Sequence, residues 1–163
     1  LVQGGAGGVG SVAVQVAKAH GARVIATASA RNADYLRSIG ADEVIDYQAA
    51  RFEDRVSGVD IVFDTVGGET LARSLAVVRP GGRRVTVAGR PDSAACEAAR
   101  VLCFGGPRPE PLGPALRESV ARAEAGKLAL NIDRVIPLEE AAQAQELNRA
   151  GRTRGKLVLR TSR

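Results

Sequence analysis

Methionine and tryptophan are absent from these 163 residues, and the aromatics amount to three Phe and two Tyr. The core must therefore be built from Val, Leu, Ile and Ala. Without Met, Leu1 is not a translated first residue, so the sequence is expected to be a piece of a longer protein; its start carries no signal-peptide pattern. No apolar run is long enough to span a bilayer, so no membrane contact is expected. One His and two Cys make a poor ligand set, and Cys96 and Cys103 are not spaced as C-x-x-C, so no metal site is expected. The cysteines read as two reduced, buried thiols of a cytoplasmic protein.

Acidic residues are missing from the first 33 positions, Asp34 being the first. Over the whole chain the net charge is +5, and only Lys18, Lys127 and Lys156 are lysines, so the positive charge is carried by arginine. The arginines are scattered, with no aromatic platform and no DNA-binding motif between them. That excludes nucleic acid as the expected partner. An anionic cofactor accounts for the balance more simply.

The residues present alternate in character. "LVQ" is the end of a strand. Val9, Val12, Ala13, Val16 and Ala17 follow at helical spacing and form one apolar face, with Gly21 as the stop. "ARVIATAS" reads as a buried parallel strand, "RNADYLRSIG" as a helix and "DEVIDY" as a third strand. "VDIVFDTVGG" is a fourth strand, and "ETLARSLAVV" a helix with Leu71, Leu75 and Val78 inward, ended by "RPGG". "RRVTVAG" and "ARVLCFGG" give the fifth and sixth strands. This order implies an α/β fold: a doubly wound parallel sheet in a three-layer αβα Rossmann arrangement. After Gly106 come a proline-rich connection, a helix over about 115–125, "NIDRVIPL", a helix over about 139–150 and "GKLVLR". The expected division is a dinucleotide-binding domain over 1–126, its first strand truncated, and a C-terminal segment over 127–163.

Gly5, Gly7 and Gly10 form G-x-G-x-x-G between a strand and a helix. One glycine allows the tight turn, one lets backbone approach a pyrophosphate, and one lets helix and strand pack closely. The helix N-terminus then offers N–H groups and partial positive charge to the phosphates. A site for NAD places a carboxylate at the end of the second strand, on the ribose 2′-hydroxyl. Here that strand ends Ala28-Ser29, with Arg31 next. A hydroxyl and a guanidinium suit a 2′-phosphate, so NADP(H) is the expected cofactor, with Ser29 and Arg31 at its phosphate. The competing reading makes Ser29 a helix cap and Arg31 a solvated residue.

Together "GGAGGVGSVAVQVAKAHGARVIATAS", "LRSIGADEVIDY", "GVDIVFDTVGGETLARSL", "RPGGRRVTVAG" and "RGKLVL" resemble the medium-chain dehydrogenase/reductase superfamily, in its quinone oxidoreductase or zeta-crystallin-like branch. The resemblance implies an NADPH-dependent reductase that passes hydride to a quinone, enone or related carbonyl compound without zinc. It implies cofactor contacts at Gly5, Ala6, Gly7, Gly8, Val9 and Gly10, at Ser29 and Arg31, and at Tyr47 and Gly67. Ala88, Gly89, Arg90, Cys103 and Phe104 are implied at the nicotinamide side. It further implies a homodimer joined at the edge strand near Val101–Phe104, and a GroES-like catalytic domain outside this sequence, towards which 127–163 would return. "NIDRVIPL" and "GKLVLR" would then present exposed apolar edges, unless they fold back locally.

No residue is assigned a catalytic role. His20 reads as a harmless residue near a helix end, and Asp64 as a turn-forming carboxylate. The Y-x-x-x-K pair of short-chain reductases is missing, since Ile39 follows Tyr35 and Arg51 follows Tyr47 at that spacing. Two other classes share this sheet: a non-catalytic NADPH-binding sensor or structural protein, and an S-adenosylmethionine methyltransferase, against which the Ala28-Ser29 end argues.

Overall fold

The computed structural model describes residues 1–106 and 112–161. Its main sheet holds β1 (Val2–Gln3), β2 (Ile25–Ala28), β3 (Glu43–Asp46), β4 (Val59–Asp64), β5 (Val78–Thr86) and β6 (Leu102–Gly105). The order is β3-β2-β1-β4-β5-β6 and every pairing is parallel. This is the strand order of a Rossmann sheet. The helices that connect the strands are α1 (Gly10–Ala19), α2 (Ala33–Ser38), α3 (Gly68–Arg73) and α4 (Ser93–Ala98).

Successive strand residues point to opposite faces, and both faces are covered. Leu1 and Ile25 join Ile45, Phe52, Val62 and Val101 in one core. Val2 and Ala26, one residue along, join Val14, Val24, Leu36 and Ala41 in the other. Small aliphatic side chains fill both layers, as the scarcity of aromatics requires.

The innermost residues of α1 are Gly10, Ser11 and Val14. Of its apolar stripe, Ala13 and Ala17 pack against the core beside Val14, and Val9, Val12, Ala13, Val16 and Ala17 together line a groove of about 1040 Å³ that Val56–Ile61 line as well. A Cβ on Gly10 would stand 2.2 Å from the Gly4 carbonyl oxygen, so the helix presses onto the sheet through its smallest residues. Val78 is not helical. It opens β5, which runs through "RPGG" with an irregular register opposite Val59–Ile61.

Helix α4 was not expected. Asp92 caps it, its Oδ1 accepting the Ala95 N–H at 3.1 Å. The helix ends with Arg100 at φ +55°, the Arg100 N–H on the Glu97 carbonyl and the Val101 N–H on the Cys96 carbonyl. That is a Schellman stop with arginine in the position glycine usually takes. The turn lays Cys96 against β6, where it forms a disulfide with Cys103, the Cα atoms 6.2 Å apart. The two cysteines are therefore bonded here, not free thiols.

Of the expected proline-rich connection, residues 107–111 lie outside the described residues. Beyond it come α5 (Gly113–Glu124), β7 (Ile132–Pro137), α6 (Ala141–Arg149) and β8 (Lys156–Arg160). Strands β7 and β8 fold back on each other as a two-stranded parallel sheet. Ile132 and Val135 remain more than half exposed, the apolar surface expected of this segment. Several contacts tie the segment to the main body. The Gly155 N–H donates to the Ala6 carbonyl at 2.9 Å, and the Gln15 side chain bonds both the carbonyl and the N–H of Ala129.

Candidate cofactor site

Because all six strands run parallel, the turns that follow them gather on one edge of the sheet. Ligands of such sheets bind at this carboxyl edge, at the point where strand order reverses. The reversal lies between β1 and β4. Along the edge stand, in spatial order, Tyr47 after β3, Ser29 and Arg31 after β2, and Gly5–Gly10 after β1. Gly67 after β4 and Ala88, Gly89 and Arg90 after β5 continue the row, while Cys103 and Phe104 lie within β6, opposite Arg84 and Val85 and short of the strand's end. Residues far apart in sequence thus share one rim.

The loop from Gly4 to Gly10 enters α1 with no acidic residue in the helix's first turn. Only the Gly4 carbonyl, at 3.4 Å, approaches the place a Cβ on Gly7 would take, so an anion can come close to the backbone there. This geometry fits a pyrophosphate.

At the end of β2, Ser29 has no side-chain cap bond; its Oγ accepts from Asn32 Nδ2 at 3.2 Å and keeps its own proton to donate. Arg31 is exposed, and its Nη2 donates to the Arg152 carbonyl at 2.6 Å, which fixes the guanidinium beside the strand end. Asp46, paired in register with Ala28, turns its Oδ1 to the Gln48 N–H at 3.0 Å. Tyr47 does not pack inward: it is 59% exposed, and its N–H donates to the Ala28 carbonyl.

Three basic residues here were not anticipated. The 151–156 segment brings Arg152 to Arg31, stacks Arg154 over the Tyr35 ring at 5.4 Å, and lays Lys156 beside Gly8 and Val9. No local motif links position 31 to position 152. The only signal was the run of basic residues in "GRTRGK" ahead of a strand.

Beneath the rim lies a buried polar layer. Thr27 Oγ1 donates to Gln3 Oε1 at 2.7 Å, and Gln3 Nε2 donates to Ser74 Oγ at 3.1 Å. Asp64 is fully buried; its carboxylate accepts the N–H groups of Val66 and Gly67 and the Thr86 hydroxyl. Gly67 has φ +78°, and a Cβ there would stand 2.2 Å from the Ala88 carbonyl oxygen. The turns after β4 and β5 are thus in direct contact. Asp64 acts as the turn-forming carboxylate expected of it.

Phe104 is 41% exposed on the edge strand, while the Cys103 sulfur is held by Cys96. His20 sits at the C-terminal end of α1. Among the described residues no group of three His, Cys, Asp or Glu could hold a metal ion. No helix among them is long and apolar enough to cross a membrane.

Residues 39–159 match the family described as zinc-binding dehydrogenase. The quinone oxidoreductase of Coxiella burnetii superposes with a TM-score of 0.90 at 34% identity, over 99% of this chain and 52% of that one. Escherichia coli quinone oxidoreductase complexed with NADPH gives 0.84 at 25% identity, over 98% and 56%. An NADPH-dependent alkenal/one oxidoreductase of Arabidopsis thaliana is 43% identical over 91 residues, covering 55% of this chain and 23% of that protein. A trans-enoyl reductase of Aspergillus japonicus is 32% identical over 178 residues, covering all of this chain and 52% of that protein. The chain thus spans about half or less of the length of these relatives. The strand order, the glycine-lined turn into α1 and a family match across most of the sequence agree: the chain belongs to the zinc-binding dehydrogenase family of the medium-chain dehydrogenase/reductase superfamily.

Proposed function

We propose that this chain is the NADP(H)-binding part of an oxidoreductase that reduces quinones, enones or related carbonyl compounds without zinc. The observation that carries the reading is the edge of β1 and β2. A glycine loop open to a pyrophosphate stands beside a strand end that bears Ser29 and Arg31 and sends its neighbouring carboxylate elsewhere. A 2′-phosphate would be repelled by a carboxylate there and held by a hydroxyl and a guanidinium. The NADPH bound to the E. coli relative, and the NADPH dependence named for the Arabidopsis one, support the same choice.

On this reading the bound cofactor supplies a hydride from its nicotinamide ring to an electrophilic carbon. The chain's own residues bind and orient. Gly5 to Gly10 take the pyrophosphate, Ser29 and Arg31 the 2′-phosphate, and Tyr47 the adenosine end. Gly67, Ala88, Gly89, Arg90, Cys103 and Phe104 flank the nicotinamide half. No residue here is assigned as proton donor. Residues 1–126 form the cofactor domain, and 127–163 lead towards a GroES-like catalytic domain that would cover the substrate. Exposed Leu102 and Phe104 on β6 support a homodimer joined along that strand. A cytoplasmic setting belongs to the same proposal.

The test is a calorimetric titration with NADPH and, separately, NADH. NADPH should bind at least about tenfold more tightly, the worth of one charge-assisted hydrogen bond to the phosphate. Arg31→Ala should erase that preference. Equal affinities in the unaltered chain would overturn the 2′-phosphate assignment.

A further inference from the structure

Arg84 lies on β5 directly opposite Cys103 of β6 and is 2% exposed. Its Nη1 donates to the Leu71 carbonyl at 2.9 Å and its Nη2 to the Cys96 Sγ at 3.1 Å, while its Nε has no partner. Neither hydrogen-bond acceptor is an anion, so a buried guanidinium is spent on a carbonyl and a disulfide sulfur. Burial pulls its pKa down, opposed by the carboxylates facing it, Asp64 and Asp92. A buried cation without an anionic partner is costly. A thiolate at Cys96 would give it one.

We propose that Cys96–Cys103 is a thiol-exchange site for low-molecular-weight thiols, in which Cys103 is the sulfur attacked and Cys96 the leaving thiolate, received by Arg84. The assignment follows from burial. Cys96 is 4% exposed as the buried residue of α4, whereas Cys103 is only partly buried on the edge strand. Exchange goes fastest when the leaving thiol has the lower pKa, and a guanidinium at hydrogen-bond distance lowers it. In the first step a thiolate RS⁻ forms a bond to Cys103 Sγ, and the Cys96–Cys103 bond breaks with its electron pair on Cys96. In the second step another RS⁻ attacks the R sulfur of that mixed disulfide. Cys103 leaves as a thiolate and RSSR is released. Two thiols are oxidised and one protein disulfide is reduced; the reverse sequence, with RSSR as oxidant, closes it again. Because Arg84 stabilises the reduced form, the disulfide opens readily. The site shares Cys103 with the proposed nicotinamide flank, but its argument rests on Arg84 and the two sulfurs alone.

The experiment uses the whole chain, equilibrated in buffers of stepped ratio of reduced to oxidised glutathione, then alkylated and weighed by mass spectrometry. The pair should pass from disulfide to dithiol within the accessible range of ratios. Arg84→Met should move the midpoint about tenfold towards more reduced glutathione, and Arg84→Lys should move it less. With oxidised glutathione, Cys96→Ser should collect one glutathione on Cys103, and Cys103→Ser should collect none. A pair that never closes under oxidised glutathione overturns the proposal. So does one that stays closed in a strong dithiol, or a midpoint unmoved by Arg84→Met. Should Arg84→Met fail to fold, as read by circular dichroism, the two Cys→Ser variants decide by which sulfur carries the adduct.

Discussion

The Thr86 hydroxyl donates to Asp64 Oδ2 at 2.7 Å and at the same time accepts the Ala88 N–H at 3.1 Å. One side chain thus couples the buried end of β4 to the turn after β5. Thr86→Val keeps the shape and removes the hydroxyl, leaving a buried carboxylate short of one donor. Such a loss costs about 1–3 kcal/mol, and the Ala88–Arg90 turn loses its tether. The expected result is a lower Tm together with weaker NADPH binding, while Thr86→Ser restores both. Equal behaviour of the Val and Ser variants in titration and melting would show that the hydroxyl does not hold the turn.

Gly67 cannot carry a side chain. Alanine there would be forced into the left-handed region and into the Ala88 carbonyl. Gly67→Ala should cost about 2 kcal/mol or more and separate the turns after β4 and β5. Urea unfolding and NADPH titration should both register it, whereas Gly58→Ala, at φ +66° with open space around it, should lose about 1 kcal/mol and leave cofactor binding unchanged.

Arg100 sits where a helix stop favours glycine. Arg100→Gly should therefore stabilise the chain by about 1 kcal/mol, seen as a higher urea midpoint with an unchanged slope. A lower midpoint would mean that the Arg100 side chain contributes more than its strained backbone costs.

Stability should fall in acid. The Lys18 ammonium, then the Val24 N–H, hold the Asp42 pKa below the usual carboxylate value, so its contribution is present at neutral pH and is lost as pH falls through the carboxylate range. Urea midpoints should decline from about pH 6 to about pH 3, and less steeply in Asp42→Asn; an identical decline in that variant would remove Asp42 from the account.

The sheet was legible because its strands are short runs of Val and Ile bounded by turn residues, and the glycine spacing located the loop. What escaped was whatever depends on contact between distant segments. Helix α4 is six residues, three of them Ala, too short for an apolar stripe; its one visible signal was Asp92 at the cap position. The start of β5 was hidden by Pro80, Gly81 and Gly82, which read as a helix end but sit in a strand whose Gly81 N–H bonds the Arg100 carbonyl. The α1 stripe was legible, but only Ala13 and Ala17 of it reach the core, because periodicity locates an apolar face without saying what covers it. At the candidate site, the position of Ser29 and Arg31 just past the end of β2 was legible. Arg152 was not, since only the fold-back of the last strands brings it there.

The bond from Gly155 to Ala6 also orders events in time. The glycine turn is among the first parts of this sequence to leave the ribosome, and its last backbone partner is made almost 150 residues later. Strands β2 to β6 can assemble during synthesis, but the turn stays unbraced on one side until β8 emerges. A nascent chain stalled before Gly155 would thus carry a nearly complete sheet around an unfinished nucleotide loop, so cofactor capture would be among the last steps of its maturation.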